Sequence, residues 1–229
     1  MQEMIPVLQN CVLFCGIPEN ELMRMLGCIA PRIANYPKGM LILEAGGAMR
    51  ELGVVLSGTV DIVKETPLGE RVVLNKISRG GIFGEVIALS DTQNAPATIF
   101  AAESCSVLYI VPKKILQPCR NGCEWHSRLS ENLIHIVAQK ALYLNRKIDF
   151  LVIKSMRGKL CTYLYEYYKK TGGTTFTLPF NRNELADFLN VSRPSMSREL
   201  GRLRDEGILS FSGSSFRIVN LSKLNTYVE

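Results

Sequence analysis

Histidine is scarce in this chain: of 229 residues, only His126 and His135 carry an imidazole. That speaks against a multi-histidine metal site and against serine–histidine–aspartate chemistry. Both histidines are expected on helix surfaces. No Gly-x-x-x-x-Gly-Lys phosphate loop, internal repeat or low-complexity segment occurs. With no nucleophile–base pair in view, an enzyme is the poorest reading. No uncharged apolar run approaches the ~18 residues of a membrane span. The start, Met1-Gln-Glu-Met-Ile-Pro6, lacks a basic segment followed by an apolar one, so no signal peptide is expected. A cytoplasmic location follows as an expectation. In that compartment the seven cysteines are not a disulfide framework,. None forms a Cys-x-x-Cys pair, but Cys11/Cys15 and Cys119/Cys123 are each four apart, on one face if helical,. They are read as small buried hydrophobes, with redox chemistry as the alternative.

What is present suits a soluble globular protein long enough for two domains: 47% hydrophobic and 21% charged residues,. The net charge is +6, and residues 155–229 supply +4 of it, with 11 Lys and Arg against 7 Asp and Glu. Such an excess in the shorter C-terminal part is what a nucleic-acid partner would leave.

Residues 36–112 alternate short apolar runs with glycine. The strand-like runs are Met40–Leu43, Leu52–Leu56, Thr59–Val63, Arg71–Leu74, Thr98–Ala101 and Ser106–Val111. Their close spacing predicts a barrel or jelly roll, with Pro67-Leu-Gly69 as a hairpin tip. From Trp125 to Leu151 the pattern becomes one long helix without Gly or Pro. Ile134, Val137, Ala141, Leu144, Ile148 and Leu151 recur at alternating three and four residues, which predicts a two-stranded coiled-coil seam. Packing on the chain's own barrel is the alternative. Ser155 is expected to cap a further helix that closes at Gly172-Gly173.

The segment Asn181–Leu209 carries the functional signal. Asn181 with Glu184 has the spacing of a capping box, and Leu185, Ala186 and Leu189 form an apolar stripe. Asn190-Val191 makes a turn. Ser192 then caps a second helix with Pro194 in its first turn. Met196, Leu200 and Leu203 mark its buried face, and Gly207 ends it. Arg193, Ser195, Ser197, Arg198 and Arg202 are left outside. Phe176–Phe180 and two short strands around Gly213 would make a wing. A helix-turn-helix with a polar, basic second helix places side chains on base edges in a DNA major groove.

Glycine-rich barrel, long helix and winged helix, in that order, resemble the Crp/Fnr family of transcription regulators over nearly the whole chain. The most specific matches are Gly81-Ile-Phe-Gly-Glu85 and Val191-Ser-Arg-Pro-Ser-Met-Ser-Arg198. Tyr36-Pro-Lys-Gly39, Gly46 and Leu56-Ser-Gly58 are weaker ones. The resemblance implies an α+β fold with three parts. These are a cyclic-nucleotide-binding-like β-barrel or jelly roll with a helical arm (1–124), a long dimerisation helix and hinge (125–154), and a winged helix-turn-helix (155–229). It also implies a homodimer on inverted-repeat double-stranded DNA, with RNA polymerase as a further partner. On the matched positions, Arg193 and Arg198 would read guanine, with Ser197 beside them. Arg182, Asn183, Ser192 and Ser195 would hold phosphates. Pro194 stands where many members carry a cytosine-reading glutamate, so the half-site should differ from theirs.

In the family's cyclic-nucleotide binders, the segment after Gly-Glu ends in Arg-Ser or Arg-Thr. Here Ala95 and Pro96 take those places, and Leu144 and Asn145 stand at the base-facing pair. Losing the cation that faces the phosphate argues against cyclic AMP. A small organic effector near Gly84, Glu85, Val86, Ala95, Pro96, Leu144 and Asn145 is expected, and no metal. Alternatives are an iron–sulfur cluster on Cys11, Cys15, Cys28 and Cys105, haem through His135 or a cysteine, and a thiol switch at Cys119 and Cys123. A different class remains as well: a ligand-binding or scaffolding module whose winged helix contacts proteins.

Overall fold

The computed structural model describes residues 4–65, 71–117 and 125–229. It divides into two compact units, Met1–Gln139 and Lys140–Glu229. The expected hairpin tip Pro67-Leu-Gly69 and the thiols Cys119 and Cys123 lie outside the described residues.

The first unit opens with two helices, α1 (Ile5–Gln9) and α2 (Glu19–Ile29). Eight strands follow: β1 (Arg32–Tyr36), β2 (Leu41–Leu43), β3 (Leu52–Ser57), β4 (Thr59–Glu65), β5 (Arg71–Ser78), β6 (Ile82–Phe83), β7 (Thr98–Ala101) and β8 (Cys105–Ile110). Two short helices interrupt or follow them, α3 (Glu85–Leu89) and α4 (Pro112–Leu116). The strands form two antiparallel sheets, ordered β1-β8-β3-β6 and β2-β7-β4-β5.

Side chains that alternate along a strand divide this unit's core in two. On β3 and β8, Leu52, Val54, Leu56, Leu108 and Ile110 face outward and pack with α1 and α2 residues such as Leu8, Leu22 and Met25. Val55, Val107 and Tyr109 face inward and meet Val60, Phe83 and Ile99 between the sheets. β3 is thus buried on both faces, which explains its unbroken apolar run. Gly53 permits this packing, since any Cβ there would enter the Phe83 ring by 2.4–2.9 Å contacts with its carbons unless the ring moved. The six runs read as strands are strands. β1 escaped the reading because it is a polar, partly exposed edge, and β6 because it is two residues long.

Helix α5 (His126–Val152) runs 27 residues, about 40 Å at 1.5 Å per residue. Leu129, Leu133 and Ile136 join the outer core of the first unit, and Phe150 joins the core of the second. Of the seam, Ile134, Ala141, Leu144, Ile148 and Leu151 are exposed and Val137 is half-buried. His126 corrects the expectation of two surface histidines. It is buried, and its Nε2 lies 2.7 Å from the Lys114 carbonyl oxygen. His135 is exposed as expected.

The second unit holds α6 (Met156–Thr171), β9 (Thr175–Thr177), α7 (Arg182–Leu189), α8 (Arg193–Asp205), β10 (Leu209–Ser212), β11 (Ser215–Ile218) and α9 (Leu221–Asn225). Ser155 caps α6 by accepting from the Gly158 N–H at 2.8 Å, and Gly172 closes it at φ 71°. The strands form an antiparallel wing ordered β10-β11-β9. β9 stops at Thr177, short of the expected Phe180, because Pro179 cannot donate to a ladder,. Phe150, Tyr163, Phe180 and Phe188 meet at centroid spacings of 5.3–6.4 Å, mostly edge-on or tilted, giving the small unit an aromatic centre.

Candidate nucleic-acid interface and effector pocket

Reciprocal hydrogen bonds start α7. Asn181 Oδ1 accepts from the N–H groups of Asn183 and Glu184 at 2.9 and 3.0 Å, and Glu184 Oε2 accepts from the Asn181 N–H at 2.8 Å. The helix ends at Asn190, left-handed at φ 52°, a conformation asparagine tolerates,. Lys159 reaches over from α6 and donates to the Leu189 carbonyl at 3.0 Å, where a cation complements the helix dipole,. Ser192 then caps α8, accepting from the Ser195 N–H at 3.3 Å. At the far end Gly207, at φ 71°, donates to Arg204 O and Ile208 donates to Leu203 O, each at 2.9 Å. These are the two bonds of a Schellman closure.

With its ends set, α8 buries Met196, Leu200 and Leu203. Its other face presents Arg193, Ser197, Arg198 and Arg202 to solvent, with Ser195 half-buried. Two of these arginines are tethered along the helix. Arg198 Nη2 donates to Ser195 Oγ at 3.1 Å, and Arg202 Nη1 to Glu199 Oε2 at 3.3 Å. Ser192 and Ser195 hydrogen-bond each other at 2.7 Å. Asn183 is exposed at the start of α7. Arg182 is more enclosed than the phosphate-holding role suggests. Its guanidinium lies 4.7 Å from both the Phe211 and Phe216 ring centroids, so it ties α7 to the wing,. Burial lowers its pKa, and its Nη1 is buried without a hydrogen bond. Sequence reading missed both rings, because their approach to α7 depends on how the wing folds back.

The first unit holds the expected effector residues of the Gly-x-Phe-Gly-Glu region. Gly84 adopts φ 76° at the start of α3, and a Cβ there would collide with the Met49 side chain. Glu85 and Ala95 are buried, whereas Val86 and Pro96 are exposed. The Ala95 loop segment is pinned by two backbone bonds, Gly46 N to Ala95 O at 2.7 Å and Ala95 N to Gly47 O at 2.9 Å. Met49 and Phe83 occupy the interior beside these residues. Leu144 and Asn145 lie exposed on α5, within the second unit.

A cavity of about 180 Å³ opens beside β1 and β2, between Arg32, Tyr36, Leu43, Met49, Glu51 and Tyr109. Several of its polar groups are matched. Arg32 pairs with Glu51 at 2.6 Å and lies 4.1 Å over the Tyr109 ring, and the Tyr36 and Tyr109 hydroxyls are 2.9 Å apart. Burial and the Tyr36 hydroxyl raise the Tyr109 pKa, keeping it neutral. Among the described residues no three Cys, His, Asp or Glu side chains converge as a metal site requires. Cys11 is buried, with its thiol pushed up to about 11 by desolvation, while Cys15 is exposed.

A barrel of two packed antiparallel sheets and a capped, basic helix-turn-helix with a wing define a sensor-and-reader regulator. Comparison with known proteins agrees. Residues 33–121 match the cyclic nucleotide-binding domain, and residues 158–227 match the Crp-like helix-turn-helix domain. The cAMP-activated global transcriptional regulator CRP of Pasteurella multocida (strain Pm70) is 24% identical over 190 residues, covering 80% of this chain and 88% of that protein. The cyclic AMP receptor protein of Thermus thermophilus is 24% identical over 197 residues, covering 86% and 87%. Among solved structures, CprK complexed with OCPA superposes with a TM-score of 0.61 at 16% identity, over 90% of this chain and 92% of that one. The Thermus thermophilus catabolite activator protein gives 0.53 at 23% identity, over 94% and 97%. The chain belongs to the Crp/Fnr family of transcription regulators, with a ligand-binding domain and a DNA-binding helix-turn-helix. No helix of the described residues is long and apolar enough to cross a membrane.

Proposed function

We propose that the protein is a homodimeric regulator that reads an inverted-repeat operator under the control of an effector other than cyclic AMP. The observation that carries this reading is the outer face of α8. Arg193, Ser197, Arg198 and Arg202 stand exposed on a helix whose inner face is locked by Met196, Leu200 and Leu203. An arginine at such a position can take both guanine O6 and N7, a contact worth roughly 1–3 kcal/mol of discrimination. Ser192, Ser195, Asn183 and Arg182 surround that face as phosphate ligands, and Arg182 arrives there oriented by its rings.

The exposed stripe Ile134, Ala141, Leu144, Ile148 and Leu151, with Val137, serves as the dimer seam. Solvent is an unfavourable place for so many apolar side chains on one helix. Two winged helices related by that dyad would meet half-sites about one DNA turn apart. In this reading residues 1–124 sense, 125–154 dimerise and 155–229 bind DNA, and RNA polymerase is met at the promoter. Relatives named for cyclic AMP suggest that ligand. Ala95 and Pro96 oppose it, because no cation stands at the cassette position to hold a cyclic phosphate. The apolar interior around Met49 and Phe83 favours a less polar organic effector instead.

Duplexes selected by the protein from a randomised pool should contain an inverted repeat and bind with a steep salt dependence. Arg198→Ala should erase the preference among sequences and spare the fold. Surviving discrimination in that variant would refute the recognition-helix assignment, and protein docking without a salt slope would favour the scaffolding alternative. Calorimetric titration should find no cyclic AMP affinity below the millimolar range, and micromolar binding would refute the effector reading.

A further inference from the structure

The second unit contains a partly buried ion cluster that DNA contact does not account for. Arg157, on the first turn of α6, donates through Nε to Glu199 Oε1 at 2.6 Å. Its Nη1 and Nη2 donate to the two Glu206 carboxylate oxygens at 2.9 and 2.7 Å. The Tyr227 ring lies 4.8 Å from its Cζ. Glu199 is only 8% exposed, although it stands on the recognition helix. Its second oxygen, Oε2, accepts from Arg202 Nη1 at 3.3 Å. One planar guanidinium therefore grips α8 at two points, mid-helix and at the C-cap, and its first grip is shared with an arginine of the outer face.

We propose that Arg157 is a positioning residue for operator reading: its fork sets the rotation and axial position of α8, and through Glu199 it aims Arg202. The proposal rests on the DNA-reading assignment above. Residues 199 and 206 are one heptad apart, so they project within about 20° of the same direction. A rigid fork held by both stops the helix from turning about its axis or sliding along it. The apolar contacts of Met196, Leu200 and Leu203 decide which face of α8 turns inward, and the fork adds directional hydrogen bonds at two fixed points along it,. Stability by itself does not explain the cluster. Taking charges out of water costs about what the pairing returns, and apolar replacements of buried ion pairs are often neutral or stabilising. Lysine could not substitute, since a single ammonium lacks the planar fork. Arg157 also lies five residues beyond the end of α5.

The test compares affinity for a duplex selected by the wild-type protein with affinity for a scrambled duplex of equal length. In an Arg157→Met, Glu199→Leu double variant, the thermal midpoint should stay at or above that of wild type. The selected-to-scrambled ratio should fall about tenfold, the loss of roughly one bidentate base contact. Affinity for the scrambled duplex should hold or rise, because Arg202 is released to find phosphate. Arg157→Lys should lose the ratio as well. A folded double variant that keeps the wild-type ratio overturns the proposal. If the double variant does not fold, Glu206→Gln decides: it removes the charge and one of the two acceptors of the C-cap grip on an exposed residue and should lower the ratio about threefold with only a slight fall in the midpoint, a fraction of one bidentate contact. An unchanged ratio there overturns the proposal equally. Failure of the wild-type protein to select any sequence would instead refute the DNA-reading assignment, and this inference with it.

Discussion

Between its sheets the first unit buries Val55, Phe83, Val107 and Tyr109 around Met49, and the Tyr36 and Tyr109 hydroxyls bond each other. The second unit does the reverse on α8, where serines and arginines face water over an apolar inner stripe. The contrast follows from what each surface meets. A DNA reader must offer donors to a rigid, charged partner before that partner arrives, so its polar groups stand outside and are pre-aimed by short tethers such as Ser195 to Arg198. A sensor must enclose a small molecule, and until then its own side chains fill the space.

The largest test of this contrast is Phe83→Ala. Removing a ring that is 1% exposed and packed on Gly53 should cost about 3–5 kcal/mol,. Urea denaturation should show that loss in the first unit, with the DNA selectivity of the folded fraction unchanged. Lost selectivity would mean that the two functions are not separable in this way.

Thiol chemistry gives a second comparison. Burial pushes both Cys11, in the first unit, and Cys161, in the second, up to about 11. At pH 8 only about one thiolate in a thousand would form at each, whereas the thiolate is the reactive form. Alkylation followed by peptide mapping should therefore label exposed Cys15 in minutes and leave Cys11 and Cys161 intact until unfolding. Rapid labelling of Cys11 would restore the arm cysteines as candidate ligands.

On the reader side, Asn181→Ala removes both cap bonds at the start of α7 and should cost about 1 kcal/mol in chemical denaturation,. A loss much larger than that would mean that the wing depends on the cap.

The smallest effect concerns Glu206. The hydrogen bond from Arg157 holds its carboxyl below the usual carboxylate range. A depressed folded pKa contributes stability that is present above the unfolded value, ~4.3. That stability is lost as pH falls through the folded value. The urea midpoints of wild type and Glu206→Gln should differ slightly at pH 7 and converge in acid. A gap that persists at pH 2 would assign the effect to packing.

Periodicity and punctuation were enough for much of this molecule. Six strands, the long helix, the capping box at Asn181 and the Ser192 cap all depend on near neighbours in sequence, where a two-residue or 3.6-residue repeat is diagnostic. The outer face of α8 was legible for the same reason. The edge strand β1 was not, because an exposed polar strand carries no alternation. Nor was the burial of His126, which depends on a carbonyl twelve residues away.

By itself, then, the chain's order of residues determined which helix faces outward with arginine and serine, where helices start and stop, and that Ala95 and Pro96, neither of them a cation, follow the Gly84-Glu85 turn. Tertiary structure alone decided three things: that Met49 packs on Gly84 and Phe83 on Gly53, that Arg182 lies on two phenylalanine rings, and that Arg157 grips α8 at Glu199 and Glu206. These contacts join residues 29 to 49 positions apart, and no local repeat records which distant side chain will arrive.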